Sequence, residues 1–273
     1  MTAPALIEFQ PVPSFAERSL RGTMLVIPAP NALGNLGQLA VDALISTLKL
    51  QRIGFIDTPF IAPVCGIDSY GEHEGEGVLH TTVEVYAPAS DSELHLTVVQ
   101  IRSPVQPRKA VAFAKHLKTW ITEVGFSDVV LVTGADAGRR DDSQMATEPL
   151  RVLPTASSPS RLLDRATELG ITVLGTDEMK RAWVTKPSPV PPGAGVSRFV
   201  FDEFSTQESG NEIPLLIALW FANDGDPTQA LQLASAVFRI ISSKDTPPVE
   251  EWKVPASWSF LYGSQRFTKE LFQ

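Results

Sequence analysis

Residues 23–57 read TMLVIPAPNALGNLGQLAVDALISTLKLQRIGFID, and this stretch decides the fold class. Its opening, residues 23–29, is a short apolar run rich in β-formers, the pattern of a buried strand. Pro28 and Pro30 then forbid a continued strand or an immediate helix. Over residues 36–50, Leu36, Leu39, Ala40, Ala43, Leu44, Thr47 and Leu48 recur at helical spacing and predict one apolar helix face. Asn35 stands in front as the expected N-cap, with Gln38 completing a capping box. Residues 52–57 return to a short strand. This β-α-β opening predicts an α/β domain.

The rest of the chain extends the pattern. Residues 78–86 and 94–102 are apolar or alternating, with turn-forming residues 88–92 between them, which predicts an antiparallel hairpin and so a mixed sheet. Residues 110–124 place Ala110, Phe113, Ala114, Leu117, Trp120, Ile121 and Val124 on one helix face, with Gly125 as the stop. Residues 128–133 (DVVLVT) are almost continuously apolar, as expected of a strand covered on both faces. Ser158 and Pro159 open a third helix through Leu162, Leu163, Ala166 and Leu169, closed by Gly170 and followed by a strand at 171–174. Pro187, Pro189, Pro191 and Pro192 make 185–195 a loop. Two more helices are expected at 212–223 and 227–242, the second capped by Asp226 with Pro227 in its first position. The expected architecture is a single α/β domain over residues 1–264, a mixed sheet with helices on both faces, and a flexible C-terminal tail over residues 265–273.

Composition narrows the function. The chain has 273 residues and 23 Lys and Arg against 31 Asp and Glu, a formal charge of -8. That balance argues against a nucleic-acid binder, which would show a basic stripe. The one cysteine, Cys65, leaves no partner for a disulfide and no cysteine-built zinc site, and its default place is as a small buried hydrophobe. Residues 1–14 lack a basic leader and an apolar core, and the most apolar run, 214–222, is far short of the ~20 residues that span a bilayer. The expectation is a soluble intracellular chain without membrane contact.

Open α/β sheets bind ligands at the carboxyl ends of their strands. Two loops there invite inspection. Gly34-Asn35-Leu36-Gly37 could meet a phosphate at a helix N-terminus, but it lacks the Lys-Ser/Thr of a P-loop and the third glycine of a dinucleotide fingerprint. Turn glycines are the simpler reading. Gly138-Arg139-Arg140-Asp141-Asp142-Ser143 offers two arginines for an anion and two carboxylates for acid–base work; a solvated turn accounts for the same residues. His73, His80, His95 and His116 show no metal-binding spacing, and no nucleophile elbow exists. The residues therefore predict no catalytic, cofactor or metal site. Near the C-terminus, Trp252, Trp258, Phe260 and Tyr262 crowd together, either as a segment sealing the core or as a docking surface.

Several stretches together resemble the proteasome assembly chaperone family. They are Gly34 to Ala40 (GNLGQLA), Gln100-Ile101-Arg102-Ser103, the Pro192-Gly193-Ala194-Gly195 loop, Trp252 to Trp258 (WKVPASW) and Leu261-Tyr262-Gly263-Ser264. The resemblance implies a nucleoside-phosphorylase-like α/β fold without enzyme activity or cofactor, found in the cytoplasm and also the nucleus. It implies a heterodimer with a sister subunit, proteasome assembly chaperone 1. It further implies binding to the proteasome alpha-ring, with the fifth and seventh alpha subunits as contacts, so that the ring assembles correctly and neither rings nor activators dock early. The family's C-terminal hydrophobic–tyrosine–any motif falls on Leu271, Phe272 and Gln273, which the resemblance places in an alpha-subunit pocket; here the tyrosine hydroxyl is missing. A reading from a different class is a nucleoside-type hydrolase or phosphorylase using the 34–37 and 139–142 loops.

Overall fold

The computed structural model describes residues 6–71, 78–90, 92–140, 142–155, 160–174, 188–206 and 213–260. Ten strands are found there: β1 (Glu8–Pro11), β2 (Met24–Pro28), β3 (Gln51–Asp57), β4 (Cys65–Ile67), β5 (Leu79–Thr81), β6 (Val83–Ala87), β7 (Leu96–Ile101), β8 (Asp128–Asp136), β9 (Leu150–Pro154) and β10 (Leu215–Ala222). The helices are α1 (Leu36–Thr47), α2 (Ala110–Val124), α3 (Asp142–Met145), α4 (Arg161–Glu168), α5 (Ser197–Ser205) and α6 (Pro227–Ile241).

Eight strands form one mixed sheet in the order β1-β3-β6-β7-β2-β8-β10-β9. Its centre, β7-β2-β8-β10, is parallel. The wings β1, β3 and β6 on one side and β9 on the other are attached antiparallel. Strands β4 and β5 form a separate two-stranded sheet. Alternation along the central strands feeds two cores. Leu25, Ile27, Val129, Leu131, Ile217 and Leu219 face α2 and α5, whereas Val26, Val130, Val132, Leu216 and Ala218 face α1 and α6. Helices thus cover both faces of the sheet, and the mixed α/β architecture read from the sequence is the one observed.

Several local expectations are corrected. The apolar run expected as a helix at 212–223 is strand β10, buried along its whole length between β8 and β9. A strand covered on both faces and a buried helix have the same apolar composition, and only tertiary pairing separates them. Asn35 is not a capping side chain: its backbone is left-handed, with φ 52°, and it makes no cap hydrogen bond. The stretch 78–86 is broken at Thr82, so β5 pairs with β4 while β6 pairs with β7. Residues 171–174 make only a bridge, Val173 to Val152. Strands β1 and β9 and helix α5 had no counterpart in the sequence reading. The cap of α6 is as expected, Asp226 accepting from the Thr228 N–H at 2.8 Å. Ser158 and Pro159 lie outside the described residues.

Candidate functional site

The carboxyl ends of β2, β8 and β10 converge where an α/β enzyme would hold its ligand. At the glycine loops backbone fills the crevice, while a cleft of about 470 Å³ lined by Arg140, Glu148, Trp220 and Phe221 stays open beside the ends of β8 and β10. A methyl group on Gly34 would overlap the Gly225 amide, one on Gly37 the Val132 carbonyl, and one on Gly195 the Pro30 carbonyl. Leu33 N–H donates to the Gly193 carbonyl at 2.7 Å, and Asp136 N–H to Pro192 at 3.1 Å. The two glycine loops that stood apart in sequence therefore interlock with each other and with the 223–226 turn. They are packing geometry rather than a phosphate cradle.

The arginine loop is also engaged. Arg139 Nε lies 3.4 Å from Asp136, and both side chains are exposed. Arg140 Nη2 donates to the carbonyls of Gln144 and Thr147, and its guanidinium lies 5.8 Å from the Phe221 ring centroid. Arg140 thus ties down the turn that follows it instead of presenting a free fork to an anion. Asp141, and the side chains of Asp142 and Ser143, lie outside the described residues.

The densest polar chemistry lies elsewhere, beneath the β4–β5 arm. Glu84, fully buried on β6, accepts from Arg52 Nη1 at 2.9 Å, the Thr81 N–H at 3.0 Å and the Tyr86 hydroxyl at 2.7 Å. The His80 ring spans two acids, with Nδ1 2.6 Å from Glu84 and Nε2 3.1 Å from Asp68. Asp42 on α1 accepts from the Tyr70 hydroxyl at 2.8 Å, Gln100 Nε2 at 2.7 Å and Arg102 Nη2 at 3.2 Å. Period-two geometry explains the gathering: Glu84 and Tyr86 share a face of β6, and Glu84 stands opposite Gln100 on β7.

Charge compensation decides the protonation of this cluster. Burial works to raise the Glu84 carboxyl, but hydrogen bonds from His80 and Tyr86, the His80 charge and the Thr81 N–H outweigh it and leave it below its ordinary value. Burial likewise opposes ionisation of Asp68, and the Tyr70 N–H, His80 and the Gly71 N–H overcome it. Burial and the Asp42 charge hold the Tyr70 hydroxyl well above its ordinary value, and burial and Glu84 raise Tyr86. Arg102, although desolvated, is raised by Asp42, the two tyrosines and Glu84. The result is a buried network in which Glu84, Asp68 and Asp42 are each paired with Arg52, His80 or Arg102 inside the fold. Among the described residues no group of three or more His, Cys, Asp or Glu is arranged to hold a metal ion.

His80 is therefore a structural histidine, and His73 lies outside the described residues. Cys65, expected to be buried, is exposed on β4. Sequence reasoning missed the network, although an acid in the middle of Val83-Glu84-Val85-Tyr86-Ala87, a strand buried at every position, was a signal available to it.

The C-terminal aromatics seal the core where the structure describes them. Trp258 is buried in the α1/α6 core, and Trp252 meets Phe238 edge-on with ring centroids 6.4 Å apart. Lys253 N–H donates to Thr47 Oγ1 at 2.9 Å and Ser257 N–H to the Ser69 carbonyl at 3.0 Å, so this segment straps α1 to the loop carrying Tyr70. Tyr262 and the three tail residues Leu271, Phe272 and Gln273 lie outside the described residues. Among the described residues, no helix is long and apolar enough to cross a membrane.

Comparison with known proteins places this arrangement. Residues 25–188, more than half of the chain, match the PAC2 family. The chain is 34% identical over 265 residues to proteasome assembly chaperone 2 of Danio rerio, covering 93% of this chain and 94% of that protein. It is 30% identical over 253 residues to proteasome assembly chaperone 2 of Xenopus tropicalis, covering 88% and 91%. Among solved structures it superposes on Pyrococcus furiosus PbaA, an archaeal homolog of proteasome-assembly chaperone, with a TM-score of 0.59 at 16% identity, covering 88% of this chain and 83% of that one. The chain belongs to the PAC2 family.

Proposed function

We propose that this PAC2-family chain is a non-catalytic proteasome assembly chaperone subunit. The observation that carries the reading is end-to-end similarity to proteins named proteasome assembly chaperone 2, across 93% of this chain in the Danio rerio comparison. The non-catalytic reading is supported by the backbone packing that fills the crevice at the two glycine loops, where a phosphate would meet the α1 N-terminus. In this reading the chain pairs with proteasome assembly chaperone 1, and the pair binds the forming alpha-ring in the cytoplasm and nucleus, at the fifth and seventh alpha subunits. There it favours correct ring assembly and blocks premature docking of rings and activators. Residues 1–264 form the chaperone body and 265–273 the tail.

The tail contributes through Leu271, Phe272 and Gln273, inserted between alpha subunits. Nine extended residues reach roughly 30 Å, enough to leave the body and enter a groove. Burying Leu271 and Phe272 offers about 3–6 kcal/mol, and ordering costs consume much of it. The isolated tail therefore binds no tighter than roughly 100 μM, and useful affinity comes from body and tail acting together.

Native mass spectrometry of the tagged protein, isolated gently from its own cells, tests the reading. One similar-sized partner and proteasome alpha subunits should co-isolate. Deletion of residues 271–273 should reduce the alpha subunits recovered and leave the partner in place. A chain recovered without alpha subunits would defeat the proposal, and unchanged ring recovery after the deletion would remove the tail from it.

A further inference from the structure

Three residues that line one cleft at the carboxyl end of the sheet each bury a polar atom that has no partner among the described residues. The cleft, of about 470 Å³, lies where β8 runs out into Ala137 and Gly138, β10 runs out into Asn223, and Glu148 and Pro149 lead into β9. Trp220 is 6% exposed, and its indole N–H has no acceptor. Gln229, in the first turn of α6, buries its side-chain oxygen without a donor, and Arg140 buries Nε without an acceptor. The Arg140 side chain is held from its other end, where Nη2 donates to the carbonyls of Gln144 and Thr147. Buried polar groups are normally paired, so a ligand that completes such bonds gains what the free chain forgoes.

The unmade bonds are two N–H donors and one amide oxygen. A polypeptide backbone complements that set, because each unit offers one C=O and one N–H. Other ligand classes match it less well. A nucleobase needs an open ring face to stack on, but Trp220 and Phe221 are buried in opposite cores. A phosphate would find one arginine, already committed to two carbonyls, and would face the Glu148 carboxylate on the same lining. Met145, also on the lining, is 64% exposed, and its flexible thioether suits side chains of differing shape.

We infer that this cleft binds an extended peptide segment, whose backbone carbonyls accept from Trp220 and Arg140 and whose backbone N–H donates to Gln229. The volume lies in the ordinary range for ligand sites, and the carboxyl end of a parallel sheet is where such sites form. That the segment belongs to a proteasome subunit under assembly rests on the function proposed above; the peptide chemistry does not.

The test follows the indole N–H resonances of the full-length chain, isotope-labelled at its five tryptophans. Trp220→Phe keeps a ring, removes the N–H and so identifies the Trp220 signal. The probe is N-acetyl-leucine-N′-methylamide, a leucine with an amide on each side. It should move that signal saturably, with a dissociation constant of about 1 mM. Gln229→Leu, which removes the acceptor at similar size, should weaken binding about tenfold. The methyl ester of N-acetyl-leucine, one N–H short, should bind the wild type about tenfold more weakly. Adenosine and inorganic phosphate should leave the signal in place. Should Trp220→Phe not fold, titration calorimetry of the wild type and Gln229→Leu makes the same comparison. A Trp220 signal that the amide does not move overturns the inference. So does a Gln229→Leu chain that binds like the wild type, a response to adenosine or phosphate in place of the amide, or an indole already hydrogen-bonded in the free chain. Each of those failures leaves the chaperone reading standing. Recovery of the chain from cells without alpha subunits, with amide binding intact, removes only the proposed source of the segment.

Discussion

Glu84 shows what a single buried charge does in this fold. It holds Arg52, His80, Tyr86 and the Thr81 N–H at once, so removing it leaves several buried donors without a partner. Breaking such a network costs about 3–5 kcal/mol, because the groups that held Glu84 lose their acceptor while the fold around them stays closed. Glu84→Ala should therefore lose about that much stability in urea unfolding. The network also sets the acid limit. The folded-state carboxyls of Glu84 and Asp68 lie below their ordinary values of 4.5 and 3.8. Their stabilisation is thus complete above the unfolded values and is lost as pH falls through the lowered folded ones. The melting temperature of the wild type should fall on acidification below about pH 4.5, and Glu84→Gln should flatten that fall. Parallel curves for the two proteins would show that the acid limit lies in other carboxylates.

At the scale of the element, β10 explains both what was legible and what was not. Residues that alternate or keep helical spacing announced themselves: α2 begins and ends at Ala110 and Val124, as its apolar face predicts. The start of the core strand β8 was also plain, because Asp128 and the following Val-rich run open it, although β8 continues past Thr133 to Asp136. Leu215-Leu216-Ile217-Ala218-Leu219-Trp220-Phe221-Ala222 carries no period at all, since successive side chains enter two different cores and every position is buried. Composition then favours a helix, and only pairing with β8 and β9 makes it a strand. The network was hidden for a related reason: Asp42, Asp68, the neighbouring His80 and Glu84, and Arg102 are spread over a span of 60 residues and on several elements. Because β10 lies between two strands with a core on each face, its side chains cannot relax into solvent. Ile217→Ala should cost about 2–5 kcal/mol. A loss below about 1 kcal/mol would mean that the α2/α5 core closes around the deletion.

For the molecule as a whole, the interlocked glycines bear on whether this α/β sheet takes a ligand at its strand ends. A nucleoside-type enzyme keeps the carboxyl end of its parallel strands open, because its ligand must sit against the strand ends and helix N-termini. Here Gly34 abuts Gly225, Gly195 abuts Pro30, and Arg140 is tied to the carbonyls of Gln144 and Thr147. The crevice at the Gly34–Gly37 turn holds backbone instead, and the cleft that remains beside β8 and β10 is lined by the already engaged Arg140. Stability should accordingly be indifferent to nucleosides, nucleotides and inorganic phosphate. A ligand present at 100 times its Kd would contribute about 2.7 kcal/mol, a rise in melting temperature of about 5–10 °C for a chain of this size. The expected result across such a panel is no rise of that order. A rise with any member would return the carboxyl end to service as a ligand site. Arg140→Ala should then abolish the rise if the arginine loop holds the anion, and leave it intact if the ligand sits at the Gly34–Gly37 turn.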